Sequence, residues 1–353
     1  MTLHNSNARP TAAAVPRRLM TAIVQERYGP PSVLRVATTE LPVPAPDEVL
    51  LAVRAAGVSR GVWHMMTGLP YLVRLIGGLR RPRQRIPGMD VCGEVVELGS
   101  AVSGLQLGQR VFGIARGSFA EYAVAKARHL TAAPSELTDG QAAVMAESGL
   151  TALQALDAAG VGAPGRPGCR VLVIGASGGV GSFAVELGVL RGAQVTAVCS
   201  GGKSDFAADL GADRILDYRQ TDPLAEGERY DVILDVAGGR KLSALRAALA
   251  PRGTLVFVGN EAGGALAGGY GRPFAYQARM VIRSQSFVNL LVHTDVEGLA
   301  RLADHARNDG LRPRIHATFP LADVGRALEE LVSGATAGKI AIRPTNQEQE
   351  LPS

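Results

Sequence analysis

The chain has 353 residues, long for one domain, so two domains are the natural expectation. With 46% hydrophobic and 20% charged residues it has the composition of an ordinary globular protein, which excludes a disordered or collagen-like chain. Lys and Arg exceed Asp and Glu by 37 − 32 = 5, an excess too dispersed to mark a nucleic-acid-binding arm.

Cys92, Cys169 and Cys199 form no C-x-x-C pair and no disulfide framework, which suits a reducing cytoplasm. No apolar run reaches membrane-spanning length. The expectation is therefore a cytoplasmic protein engaging neither a membrane nor a nucleic acid. Residues 1–19 carry Arg9, Arg17 and Arg18, several alanines and no acid. A transit peptide is one reading and a disordered extension the preferred one, with Met20 opening the folded chain.

From Met20 to about Ala146 the pattern is short strands broken by Gly and Pro: Ala22–Gln25, Glu48–Ala55, Gly93–Leu98, Arg110–Phe112 and Ala120–Ala123. Turn clusters at Pro42–Asp47 and Gly99–Gly108 separate them, which predicts a compact β-barrel. Within the loop from Ala55 to Asp90 lie Ser59, Trp63, His64, Tyr71 and a basic run of Arg74, Arg80, Arg81, Arg83 and Arg85. The bland reading of that run is solvated charge on a lid. The sharper one is attraction of a phosphate-bearing substrate such as an acyl-CoA or a carrier-bound thioester.

The apolar run Val171–Ile174 then meets Gly175-Ala176-Ser177-Gly178-Gly179-Val180-Gly181, and a helical pattern continues through Phe183, Ala184, Leu187 and Leu190. Strand, glycine turn and helix in this order make a dinucleotide site. Gly178 admits a pyrophosphate, Gly181 lets helix and strand pack closely, and the helix N-terminus offers N–H groups to the phosphates. Ala176 stands where G-x-G-x-x-G has its first glycine, and a plain tight βα turn is the alternative.

Gln194–Cys199 is the next strand. An NAD site places Asp or Glu at its end; here Ser200 is followed by Gly201, Gly202 and Lys203, with no carboxylate before Asp205. A hydroxyl and an ammonium attract a 2′-phosphate, so NADPH is the expected cofactor, the alternative being an ordinary polar loop and helix cap. Arg214–Leu216, Val232–Val236 and Thr254–Val258 continue a doubly wound parallel sheet, with a helix at Leu242–Ala250 and a last strand near Val281–Val288. Helices at Val296–Asp309 and Leu321–Gly334 and a strand at Gly338–Ile342 close the fold, and residues 345–353 form a polar tail.

Taken together, Glu48-Val49-Leu50 with Ala56-Gly57-Val58, Pro87-Gly88-Met89-Asp90, Gly93-Glu94-Val95-Val96, Gly117 to Tyr122, Gly149 to Ala152 and the glycine turn resemble the medium-chain dehydrogenase/reductase superfamily. The similarity is closest to its zinc-independent quinone oxidoreductase-like and enoyl reductase-like branch. The resemblance implies a Rossmann α/β domain over 147–288 and a GroES-like β-barrel catalytic domain split between 20–146 and 289–344. It also implies a homodimer formed through the last strands of the Rossmann sheet.

Ser59, Met89 and Glu147 occupy the positions where zinc-dependent relatives carry their catalytic ligands, and such a set is too poor to hold zinc. Where the branch usually reads Asn-Pro-x-Asp, this chain has Ser59-Arg60-Gly61-Val62, which leaves the substrate open. By resemblance Ser200, Lys203 and Tyr218 hold the 2′-phosphate end of NADPH, and Gly238, Gly259 and Asn260 line its nicotinamide half. Ser59, Trp63 and Glu147 fall at the substrate site, Glu147 either positioning substrate or holding a structural hydrogen bond.

Related enoyl reductases carry a functional tyrosine in the loop that here holds Tyr71, the first candidate to donate a hydrogen bond or proton; His64 is the second. The expected activity is hydride transfer from NADPH to an activated C=C bond or a quinone on a small hydrophobic substrate, free or thioester-linked. Carbonyl reduction, a biosynthetic reaction without net redox change, and an NADPH-binding module that engages RNA or protein remain the alternatives.

Overall fold

The computed structural model describes residues 18–164, 166, 168–225, 227–259 and 284–344. Strands β1 (Leu19–Val24) and β2 (Arg35–Glu40) form an antiparallel pair. Next come β3 (Glu48–Val58), helices α1 (Arg60–Thr67) and α2 (Arg74–Gly77), and strands β4 (Asp90–Leu98), β5 (Arg110–Ile114), β6 (Tyr122–Lys126) and β7 (Leu130–Ala132). Helices α3 (Asp139–Ala143) and α4 (Ala146–Ala158) lead into β8 (Arg170–Ile174), α5 (Gly179–Leu190), β9 (Gln194–Cys199), α6 (Ser204–Asp209) and β10 (Arg214–Asp217). The remainder is β11 (Tyr230–Asp235), α7 (Leu242–Ala248), β12 (Leu249–Phe257), β13 (Ser286–Asn289), α8 (Val296–Asn308), β14 (Ile315–Pro320), α9 (Val324–Ser333) and β15 (Lys339–Arg343).

Six strands form one parallel sheet in the order β10-β9-β8-β11-β12-β13. Their runs of Val, Leu and Ile are buried on both faces, as a sheet covered by helices on each side requires. One face packs Leu172, Ile233, Leu255 and Phe257 under α7, the other packs Val171, Val173 and Leu234 under α5. The strand order reverses between β8 and β11, the switch point at whose carboxyl ends such sheets bind ligands.

The second sheet runs β14-β15-β3-β4-β5-β7, with β6 on β3. Its β14 and β15 come from the far end of the chain, and Ile340 lies opposite Val58. This return carries Lys339 to the mouth of the barrel. A single buried apolar cluster runs from the parallel sheet through Leu150, Leu153 and Leu156 of α4 to Cys92 and Phe112 of the barrel. Both halves of the molecule therefore share one core, and residues at their junction are fixed by packing.

Most expected elements are present, with shifted ends. The strand expected at Ala120–Ala123 begins at Tyr122, because Ala120 only bridges to Ala22 as the chain leaves the Gly117–Phe119 turn. The helix expected to reach Ala250 stops at Ala248, since Pro251 favours extended backbone before it and β12 starts at Leu249. The last parallel strand is Ser286–Asn289; residues 281–283 of the expected span lie outside the described residues. The elements not expected include the strands β2, β7 and β14 and the helices α1, α2, α3, α4 and α6.

Candidate active site

At the switch point, Gly175 turns with φ +90°, a region that favours glycine, and its N–H and that of Ala176 both donate to Val198 O. Ala176 is thus committed to the sheet. Helix α5 follows with Gly178 as its N-cap, and its first internal hydrogen bond is Ser182 N–H to Gly178 O, 2.9 Å. The N–H groups of Gly179, Val180 and Gly181 precede that bond and point out of the helix end, ready for an anion. A Cβ on Gly181 would collide with the Gly175 carbonyl oxygen, so its glycine is demanded by helix–strand packing. A Cβ on Gly178 would meet only Gly175 O, at 3.4 Å, which leaves this position open toward a ligand. The turn therefore fits the pyrophosphate of a nicotinamide dinucleotide.

Gly179 has another duty. Its added Cβ would lie 2.9 Å from Lys339 Cδ, so the turn presses directly on the barrel's returning strand. Gly338 N–H donates to Ser177 O at 2.9 Å and ties the two together. Across the switch point, Val236 and Ala237 donate to Ile174 O, while Gly238 donates to Asp235 Oδ1. A Cβ on Gly259 would strike Val236 O, so Gly259 holds close backbone packing here. Asn260 lies outside the described residues.

At the end of β9, Ser200 accepts Lys203 N–H through its backbone oxygen and opens a 3-10 turn at Gly201–Lys203. The Lys203 ammonium does not stand free: it donates to Gly334 O (2.8 Å) and Thr336 O (2.7 Å), beyond the end of α9. Burial pushes its pKa below the usual lysine range. The sequence showed a cation here but not that two carbonyls hold it, because those carbonyls arrive from the C-terminal part of the chain. Tyr218 is exposed at the end of β10, with the Arg219 guanidinium 5.8 Å from its ring centre. Arg219 is the exposed cation of this rim that sequence reasoning missed. The nearby carboxylate, Asp217, accepts from Arg219 N–H (3.0 Å) and from Gln220 Nε2 (3.1 Å).

On the barrel side, the hydroxyl of Ser59 caps α1 by accepting Val62 N–H, and Trp63 packs against the barrel core. Both expected substrate contacts thus have structural duties. Glu147 is different. Its Oε1 and the Met89 methyl lie over Gly61, so two of the three positions of the metal-ligand set do converge. Glu147 Oε2 is buried with no hydrogen-bond partner among the described residues. A capping hydroxyl, a thioether and one carboxylate do not fit zinc.

Behind Glu147 lies a cluster that sequence reasoning missed. Asp90 is fully buried; its Oδ1 accepts Glu147 N–H at 2.9 Å, and its Oδ2 lies 3.5 Å from Lys339 Nζ. Lys339 also donates to Ser148 Oγ at 2.9 Å. Helix α4 has no side-chain cap of its own at Met145, so a carboxylate from β4 does that work across the fold. Burial pushes the Asp90 carboxyl up to about 7; Lys339 pulls it down and Glu147 adds to the rise.

His64 and Tyr71 part company. Gly61 and His64 sit three residues apart on α1, hence on neighbouring positions of one face, the face that meets Glu147. The half-buried His64 ring places Nδ1 2.7 Å from Leu69 O. A carbonyl only accepts, so the proton is on Nδ1, and Nε2 is the atom able to take up and return a second one. Tyr71 is 47% exposed, its ring covered by the Arg74 guanidinium at 4.7 Å. Its hydroxyl has no hydrogen-bond partner among the described residues.

A six-stranded parallel sheet of this order, an anion-binding helix end at its switch point and a barrel closing over it define a nicotinamide-dependent oxidoreductase scaffold. Residues 45–135 match the alcohol dehydrogenase GroES-like domain, and residues 210–342 match the zinc-binding dehydrogenase family. The chloroplast envelope quinone oxidoreductase homolog of Arabidopsis thaliana is 30% identical, covering 93% of this chain and 99% of its own. Among solved structures, the quinone oxidoreductase of Coxiella burnetii superposes with a TM-score of 0.81 at 28% identity, covering 93% of this chain and all of its own (100%). A mycobacterial protein solved with NADPH gives 0.76 at 26% identity, covering 92% and 100%. The chain belongs to the medium-chain dehydrogenase/reductase superfamily, and is an NAD(P)H-dependent oxidoreductase of the quinone and enoyl reductase type.

Proposed function

We propose that the protein is a zinc-independent, NADPH-dependent reductase of quinones or activated C=C bonds, acting on a small hydrophobic substrate as a cytoplasmic homodimer. The observation that carries this reading is the corner formed by Gly61, Met89 and Glu147, where a thioether and a single carboxylate stand at a relative's metal-ligand positions and make too poor a set to hold zinc. Without a metal to polarise an isolated carbonyl, the favoured acceptor is a conjugated one, whose developing negative charge is spread before a proton arrives. Bound in the turn, the cofactor supplies the hydride. The chain's own residues orient the acceptor against Met89 and Glu147 and deliver the proton, for which His64 Nε2 is the better placed donor. A quinone then leaves as hydroquinone, and an enone or enoyl thioester as its saturated product.

NADPH is preferred over NADH on charge. Lys203 keeps one N–H beyond its two carbonyl contacts, Arg219 is exposed beside it, and the oxygens of Asp217 already accept two hydrogen bonds. Self-association is supported by β13, which is an edge strand among the described residues and offers a side for a second copy to pair with.

One experiment tests the catalytic reading: steady-state oxidation of NADPH and NADH against quinones, enones, enoyl thioesters and simple ketones, with and without a zinc chelator. Turnover of a conjugated acceptor, indifferent to chelator and at least about tenfold better with NADPH, is expected. Arg219→Glu should erase most of that preference. Activity confined to simple ketones and lost to the chelator would overturn the proposal.

A further inference from the structure

We infer that the segment from Leu69 to Leu79, with the arginines that follow it, docks the protein peripherally on an anionic lipid bilayer. Sixteen large apolar side chains stand exposed among the described residues, and six of them fall within these eleven positions: Leu69, Tyr71, Leu72, Leu75, Ile76 and Leu79. The outermost, Leu75, Ile76 and Leu79, are 63%, 72% and 68% exposed. Scattered exposed leucines are ordinary, but a contiguous group of this kind on a water-facing surface marks a contact site.

The patch is built to hold its shape. Arg74 lies between the rings of Tyr28 and Tyr71, 4.6 and 4.7 Å from their centres, and its Nε donates to Gly68 O at 3.0 Å. Tyr28 donates its hydroxyl proton to Gly78 O at 2.6 Å, and Arg83 N–H donates to Gly77 O at 2.8 Å. The backbone of the turn is thus anchored from beneath, and the aliphatic ends are what remain to face outward.

Charge identifies the occupant. Between Val49 and Met89 the chain has seven arginines and neither Asp nor Glu. Arg80, Arg81 and Arg83 are exposed and have no carboxylate partner among the described residues, while Arg85 shares Glu26 with Arg35. Exposed Leu and Ile, tyrosine rings and adjoining arginines are what the interface of an anionic bilayer accepts: apolar ends enter the acyl boundary and guanidinium groups meet phosphates. No helix among the described residues is long and apolar enough to cross a membrane, so this contact is peripheral. It departs from the expectation, drawn from the sequence, that no membrane is engaged.

Beneath the patch a small apolar cavity of about 40 Å³ is lined by Val62, Met65, Met66, Gly77, Pro82 and Met89. Its wall includes both Gly77 of the turn and Met89, the methionine beside Glu147.

The test is co-sedimentation of the full chain with vesicles of phosphatidylcholine alone and of phosphatidylcholine with phosphatidylglycerol. Binding to the anionic vesicles, weakened by salt, is expected. Arg80→Glu with Arg81→Glu should lower partitioning on the order of thirtyfold, and Ile76→Asp with Leu79→Asp should abolish it. Both variants should keep the wild-type melting temperature and the wild-type rate with a water-soluble quinone, since none of these residues touches the reacting corner. That rate reports on the proposed reductase activity and sedimentation on docking, so either can fail alone. Absence of binding to anionic vesicles, or equal and salt-insensitive binding to neutral ones, would overturn the inference. So would variants that split a dimer in light scattering while the parent binds no vesicles, which would make the patch a contact between copies.

Discussion

On the nucleotide side of the cleft, the glycines of the turn answer to backbone demands: a positive φ at Gly175, an open position at Gly178, close packing at Gly179 and Gly181. On the barrel side, the corner around Glu147 depends on side chains that meet only in the folded chain. Lys339 and Ser148 are 191 positions apart, and Asp90 caps a helix to which it does not belong. The first region is intolerant of an added atom at Gly175, Gly179 and Gly181. The second is as tightly packed but holds a charge balance that pH can move. A site specified by backbone can be read from a short string of residues; one specified by buried charge cannot.

The largest effect should come from breaking the backbone-specified side. Gly181→Val places a branched side chain against the Gly175 carbonyl and must drive α5 off β8. Cofactor affinity should fall by more than about a hundredfold, and stability by roughly 1–3 kcal/mol, the usual cost of overpacking. Isothermal titration with NADPH and a denaturant melt would show both. Near-normal binding would mean that the turn is an ordinary βα connection.

The charge-specified side should respond to pH instead. Because the folded protein holds the Asp90 proton up to about 7 while an unfolded carboxyl releases it near pH 4, the folded state binds the extra proton between those values. Stability from this group is therefore full below about pH 4 and declines as pH rises toward 7. Asp90→Asn cannot titrate. Its amide oxygen can still accept Glu147 N–H, so the variant should match the parent near pH 4 and exceed it by a few kcal/mol at pH 8. Urea melts of the two proteins across that range decide the matter. A variant less stable than its parent at pH 8 would show that Asp90 ionises at its ordinary value and that the Lys339 pair is favourable.

The same contrast explains what was legible beforehand. The strand–turn–helix at β8 and α5 and the parallel sheet follow from local residue types, and the fold and family stand as expected. Lys203 was visible as a cation, but not its carbonyl partners at Gly334 and Thr336. Ser59 was visible as a polar group at the mouth, but its service as the α1 cap depends on a helix that a run containing Gly61, Val62 and Trp63 does not announce. Helix α4 is apolar on most of its surface because it lies inside the shared core, and so lacks the one-sided pattern that marks a surface helix.

The smallest expected effect separates the two proton-donor candidates. His64 shares the α1 face that meets Glu147, and its Nδ1 is occupied by Leu69 O, so Nε2 alone can exchange a proton. If that nitrogen donates to the reduced substrate, removing it should slow turnover without touching the cofactor. His64→Gln should lower turnover by about ten- to a hundredfold and leave cofactor affinity unchanged. Tyr71 makes the comparison sharp, because family resemblance alone puts it first. Its ring, however, is half exposed and committed to Arg74. Tyr71→Phe retains the ring, the stacked guanidinium and the packing, and removes only a hydroxyl that bonds to no described residue. Turnover should stay within about twofold, since a side chain that is not a preorganised donor has no transition-state contribution to lose. A tenfold fall for Tyr71→Phe beside an indifferent His64→Gln would reverse the assignment: the loop would then have to close so that Tyr71 leaves Arg74 and turns inward during each turnover.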